Sequence, residues 1–317
     1  MEAPERSRGV ALLFSPGFGF GPAEPPTAPD DAVRERLLAA GYLLAGLSYP
    51  SAGWAVEDGL RDQPVLAAIV RDRLPEGGRL IAWGHSMGGL VTAGLAERAP
   101  AVVDGALVLC GSVAGPLAML DQALDAAFAI RCLVPGAGSL PLVGAAGDAE
   151  RLETAVAIVE RAATTADGRA RLALAGAFAQ LPTWSVPGSD RPAPEDVEGR
   201  AEQQRAVLPW AVFAPRADIE RRSGGNPSGN AGVDYRALLA RSEHRALVEA
   251  MYARSSLDLA EDLRRLAAAG RIAADEGAVD SLGRNLTPGG RIEVPVLTLH
   301  CSGDAAPTLS QAREYAE

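Results

Sequence analysis

Four short apolar runs dominate the first hundred or so residues, and the stretches between them repeat with helical period. Gly9–Phe14, Tyr42–Leu47, Arg79–Trp83 and Val103–Leu109 each read as a buried strand. Asp30 or Asp31 can cap a helix that runs to about Ala40. Glu57 to about Leu74 carries Leu60, Val65, Leu66, Ile69 and Val70 at helical spacing, and Ser86 to about Arg98 is helical too. Parallel strands need long crossovers, and helices on both faces bury them. Strand–helix alternation at this spacing therefore predicts right-handed βα units around a parallel sheet, an α/β fold.

After Val113 the rhythm stops. The chain becomes helical pattern broken by polar, Gly/Pro-rich stretches up to Gly290. Leu152–Ala163, Arg169–Leu181, Tyr235–Tyr252 and Leu257–Ala269 are the clearest helices, and the loops at Pro187–Pro194 and Arg222–Gly232 are the clearest breaks. Strand character returns at Val294–Leu299, followed by a helical ending. The expected organisation is a core of residues 1–112 and 291–317 interrupted by a helical cap of residues 113–290. Within that insertion, Gly224–Asn230 reads as a solvated connection or a cradle for a polar group. Trp184, Trp210, Phe213, Tyr235 and Tyr252 read as core packing or as an acyl pocket.

Composition narrows the function. With 48% hydrophobic and 22% charged residues, the 317-residue chain can bury a large core. Its net charge of −10 disfavours nucleic-acid binding. All 30 basic residues are Arg, which excludes Schiff-base lysine chemistry and a Walker A lysine. Cys110, Cys132 and Cys301 lack metal-site spacing and are expected as free thiols, although Cys110 and Cys301 end strands that would be neighbours. No metal or other cofactor is expected. No membrane-length apolar run or signal segment is apparent, so the expected location is cytoplasmic.

The chemistry centres on Arg79–Leu90, where Gly84-His85-Ser86-Met87-Gly88 has the form G-x-S-x-G between a strand and a helix. That setting holds a serine on a strained turn with its hydroxyl above the sheet, and the helix N-terminus favours a developing oxyanion. A glycine-rich helix cap is the plainer alternative. With these residues the sequence resembles the α/β-hydrolase family. Ser15-Pro16-Gly17-Phe18-Gly19, Val294–Leu299, and Asp304 with Pro307 beyond it add to the likeness. The resemblance implies Ser86 as nucleophile, Asp304 as the acid that orients a histidine, and an oxyanion hole from the Phe18 and Met87 amides. A capping role for Asp304 at the last helix is the alternative.

The family places its histidine after a further strand beyond the acid. His85 flanks the nucleophile, His244 falls in the expected Tyr235–Tyr252 helix, and His300 ends the last strand; none stands at that place. The expectation is therefore a C-terminally incomplete hydrolase, inactive as this chain. Its substrate would be a small-molecule carboxylic ester of lipophilic or aryl type, cleaved through an acyl-enzyme. An amidase or peptidase on the same site, or a non-catalytic binding protein of the same fold, are the alternatives.

Overall fold

A computed structural model describes residues 1–19, 24–144 and 147–317, except for the side chains of 284–286. The chain forms two compact units. The first comprises Met1–Pro116, Gly283–Cys301 and Leu309–Glu317; the second comprises Leu117–Leu282 and Ser302–Thr308.

The first unit holds a five-stranded parallel sheet. Its strands are β1 (Val10–Ser15), β2 (Leu43–Gly46), β3 (Arg79–Ser86), β4 (Gly105–Gly111) and β5 (Val296–Leu299), in the order β2-β1-β3-β4-β5. Ala11, Leu13, Leu44, Leu80 and Val108 are almost wholly buried, as apolar runs covered on both faces must be. The crossovers are α1 (Asp31–Ala39), α2 (Val56–Arg71) and α3 (Met87–Arg98). Asp30 caps α1, its Oδ1 accepting from Val33 N at 2.8 Å, and so satisfies one of the free N–H groups of the first turn. Every residue of α3 from Met87 to Ala96 is buried, which is why its sequence carries no polar stripe.

Two details depart from the sequence reading. β3 continues three residues past Trp83: Gly84 and His85 stay in register with β4, and Ser86 pairs with Gly111 after a one-residue shift. The buried face of α2 is Val56, Gly59, Gln63, Ala67 and Val70, whereas Val65 and Ile69 are 62% and 46% exposed. A glutamine thus occupies a core position that the apolar pattern assigned to its neighbours.

The second unit is built of helices: most of α4 (Gly115–Leu133), then α5 (Asp148–Ala163), α6 (Ala166–Phe178), α7 (Val197–Phe213), α8 (Arg216–Ser223), α9 (Tyr235–Arg241), α10 (Arg245–Tyr252), α11 (Leu259–Ala268) and the first part of α12 (Glu276–Leu286). The expected single helix over Tyr235–Tyr252 is two. Ser242 is extended (ψ 133°), and its hydroxyl accepts from His244 N. That local bond competes with the helical ladder, which breaks there. α7 was hidden in the sequence by Pro209, which sits inside it. A short α13 (Leu309–Ala316) ends the chain. Among the described residues no helix is long and apolar enough to cross a membrane.

Candidate active site

β3 carries the chain to Ser86, which takes φ 55° and ψ −124° before α3 begins. A non-glycine residue with positive φ stores on the order of 1–3 kcal/mol of strain, kept only where the surroundings enforce it. Here they do. A Cβ on Gly88 would lie 2.0 Å from the Ser15 carbonyl oxygen and 2.6 Å from that of Pro16; one on Gly84 would lie 2.5 Å from the Gly88 oxygen. All these obstacles are backbone and cannot step aside. Although Ser86 occupies the N-cap position of α3, its side chain makes no capping hydrogen bond. Met87 is buried at the first position of α3, where backbone N–H groups have no partner within the helix.

The turn after β1 packs on this elbow through the same Ser15 and Pro16 carbonyls. It carries Phe18, and it is tied to the segment after β2 by Gly53 N donating to Gly19 O at 2.7 Å. A cleft of about 80 Å³ lies there, its walls including Pro16, Gly17, Gly19, Tyr49 and Met87. His85 stacks on Phe14, with ring centroids 5.8 Å apart, and a Cβ on Gly17 would meet its Nε2 at 2.9 Å. Burial lowers the His85 pKa, and its Nδ1 has no hydrogen-bond partner among the described residues.

Gln63 is the residue that sequence reasoning missed. Wholly buried, it donates from Nε2 to Phe14 O at 3.0 Å and to Ser15 Oγ at 2.9 Å, anchoring the start of the turn. The Tyr49 hydroxyl is buried as well, and burial pushes its pKa up to about 12. No signal marks Gln63 in advance, since a glutamine in a helix ordinarily faces water.

The remaining candidates fall elsewhere. Asp304 belongs to the second unit, in the segment Ser302–Thr308. Its Oδ1 accepts from Ala306 N at 3.0 Å, a local turn bond two residues on. His300 follows β5 in the first unit. His244 precedes α10 in the second, where burial lowers its pKa. The loop read as a solvated connection or a polar cradle is partly buried: Gly224 is exposed, whereas Ser228 and Asn230 are 0% exposed. Arg216 donates to Ser228 Oγ at 2.7 Å, and Asn230 Nδ2 donates to the Tyr235 hydroxyl at 2.8 Å. Phe213, Tyr235 and Tyr252 are core, whereas Trp184 and Trp210 are exposed.

No family model matches the chain. An o-phthalyl amidase of Xanthobacter agilis is 26% identical over 325 aligned residues, covering 92% of this chain and 71% of that protein. Among solved structures, the chain is similar to the monoacylglycerol lipase of Paleococcus ferrophilus, at 14% identity and a TM-score of 0.37, with 99% of this chain and 83% of that one covered. Feruloyl esterase B of Aspergillus oryzae gives 14% identity and a TM-score of 0.43, over 99% of this chain and 64% of that one. This chain's own all-parallel order is β2-β1-β3-β4-β5, with the strained serine turn where central β3 meets α3. The first unit, a parallel sheet with flanking helices, is consistent with an α/β-hydrolase fold. That unit brings together Ser86, Met87 and the turn bearing Phe18. With the amidase likeness along most of the chain, it supports a hydrolase.

Proposed function

We propose that this protein is a serine hydrolase that cleaves carboxylic esters of lipophilic or aryl type through an acyl-enzyme, with Ser86 as nucleophile. The observation that carries the reading is the Ser86 backbone: a strained φ of 55° at a strand-to-helix junction, with the hydroxyl not spent on capping the helix. Ser86 Oγ attacks the ester carbonyl carbon while its proton passes to a general base. The amides of Met87 and Phe18 take the oxyanion, the alcohol leaves, and water then releases the acid. Asp304 is the proposed acid of the relay, on its place in chain order after the last core strand. The base is not assigned to His85, His244 or His300.

A second reading, amide cleavage at the same serine, is favoured by the amidase relative. Matched p-nitrophenyl ester and p-nitroanilide substrates separate the two by their kcat/KM ratio. For the serine itself, a fluorophosphonate should label the intact chain at Ser86, as located by peptide mass spectrometry. Ser86→Ala should abolish the label and any turnover of the parent, with an unchanged melting temperature. Labelling at another residue, or turnover by Ser86→Ala within a few-fold of the parent, would sink the proposal.

A further inference from the structure

Strands β4 and β5 pair in parallel up to Leu109 opposite Leu299, so the residues just beyond that pair lie side by side. Two of them are cysteines. Cys301 N donates to Cys110 Sγ at 3.3 Å, across 191 residues of chain. Cys110 is one of the few non-glycine residues with positive φ, at 43°. It lies beside the irregularity where Ser86 pairs with Gly111, and that conformation aims its sulfur at the end of β5. A strained backbone that brings one thiol against the amide of another cysteine is more than a packing convenience. Cys301 is exposed and Cys110 half-buried, so an oxidant can reach the pair. The remaining thiol, Cys132 on α4, has its pKa pushed up by burial, which disfavours the reactive thiolate.

We infer that Cys110 and Cys301 form an oxidisable dithiol, a modification site that closes to an intramolecular disulfide on exposure to a hydroperoxide. The Cys301 thiolate attacks one peroxide oxygen; the O–O bond breaks, hydroxide leaves, and a sulfenic acid remains on Cys301. The Cys110 sulfur then attacks the Cys301 sulfur, the S–S bond forms, and the sulfenic oxygen departs as water with the Cys110 proton. Two thiols are oxidised by loss of two hydrogens, and one peroxide is reduced to two waters. The closed bridge ties edge strand β5 to β4 just before the segment that carries Asp304. None of this depends on the role of Ser86.

The test treats the folded chain with stoichiometric hydrogen peroxide, alkylates the remaining thiols in denaturant and maps the peptides by mass spectrometry. Alkylatable thiols should fall from three to one, Cys132, with a Cys110–Cys301 cross-linked peptide that dithiothreitol reverses. In Cys110→Ser the cross-link should vanish and Cys301 should accumulate sulfenic or sulfinic acid. The inference is overturned if all three thiols remain alkylatable. Sulfinic acid on Cys301 beside an intact Cys110 in the parent, or bridging between chains in its place, overturns it equally.

Discussion

The sheet unit and the helical unit bury different kinds of side chain. Among the described residues, the polar groups buried in the first are uncharged: Ser15, Thr27, Gln63, Thr92, Ser112 and Gln311. The second buries Asp125, Arg151, Arg171, Arg216, Glu220 and Asp262. A parallel sheet satisfies its strands' N–H and C=O groups within its own ladders, so apolar side chains suffice to cover it. Helices satisfy their backbones one at a time and can slide or rotate against one another. In the second unit, specific charge pairs hold that register. Arg171 meets both Asp262 oxygens at 2.8 and 3.0 Å, and the Tyr252 hydroxyl donates to the same carboxylate at 3.0 Å. Arg216, paired with Glu220 on its own helix α8 at 3.1 Å, reaches Leu120 O on α4 at 2.8 Å. Such pairs add little net stability over apolar packing but are costly to break on one side.

The largest effect should come from the sheet unit, where backbone meets backbone. Gly88→Val sets a β-branched side chain 2.0 Å from the Ser15 oxygen. It should cost more than about 4 kcal/mol, read as lost soluble yield or a collapsed urea midpoint. A variant that melts like the parent would mean that the elbow contact is not structural.

Next comes Asp262→Ala, which strands the Arg171 guanidinium and should cost about 3–5 kcal/mol in urea unfolding. The double variant Arg171→Met, Asp262→Leu should recover most of that loss. A single-variant cost under about 1 kcal/mol would erase the contrast between the two units, because the buried charges would then be incidental.

The smallest effect is a pH dependence. Burial raises the Asp125 pKa to about 6, and the Tyr235 hydroxyl donates to its Oδ1 at 2.8 Å. A carboxyl whose folded pKa lies above its unfolded value takes up a proton on folding, so its contribution grows as pH falls from about 6 toward 4. His85 and His244 are both lowered by burial and act in the opposite sense: they lose stability as pH falls below about 6.5. Asp125→Asn keeps the acceptor and removes the titration. Relative to that variant, the parent should gain on the order of 1 kcal/mol between about pH 6 and pH 4 in urea melts. Parallel pH profiles would show that the carboxyl is already ionised in the fold.

The same contrast governs what could be read in advance. β1 to β4 lie within a few residues of the apolar runs that announced them, because a strand buried on both faces must be apolar throughout. The serine turn was visible for a related reason: glycines at 84 and 88 are the only side-chain-free way past the Ser15, Pro16 and Gly88 carbonyls. In the helical unit the pattern misled. The break at Ser242 comes from a local hydroxyl bond, α7 continues through Pro209, and Ser228 and Asn230 are buried in a loop whose composition reads as solvated.

Sequence alone determined the α/β class, the order of βα units and the residue raised on the strained turn, since periodicity and backbone crowding are local properties of the chain. Tertiary structure alone decided that Gln63 turns inward to hold Phe14 O and Ser15 Oγ, that Arg171 finds Asp262 ninety-one residues away, and that Cys110 meets the amide of Cys301. The first two bury polar groups, tolerable only once a distant partner satisfies them, and in all three composition does not encode the partner's position.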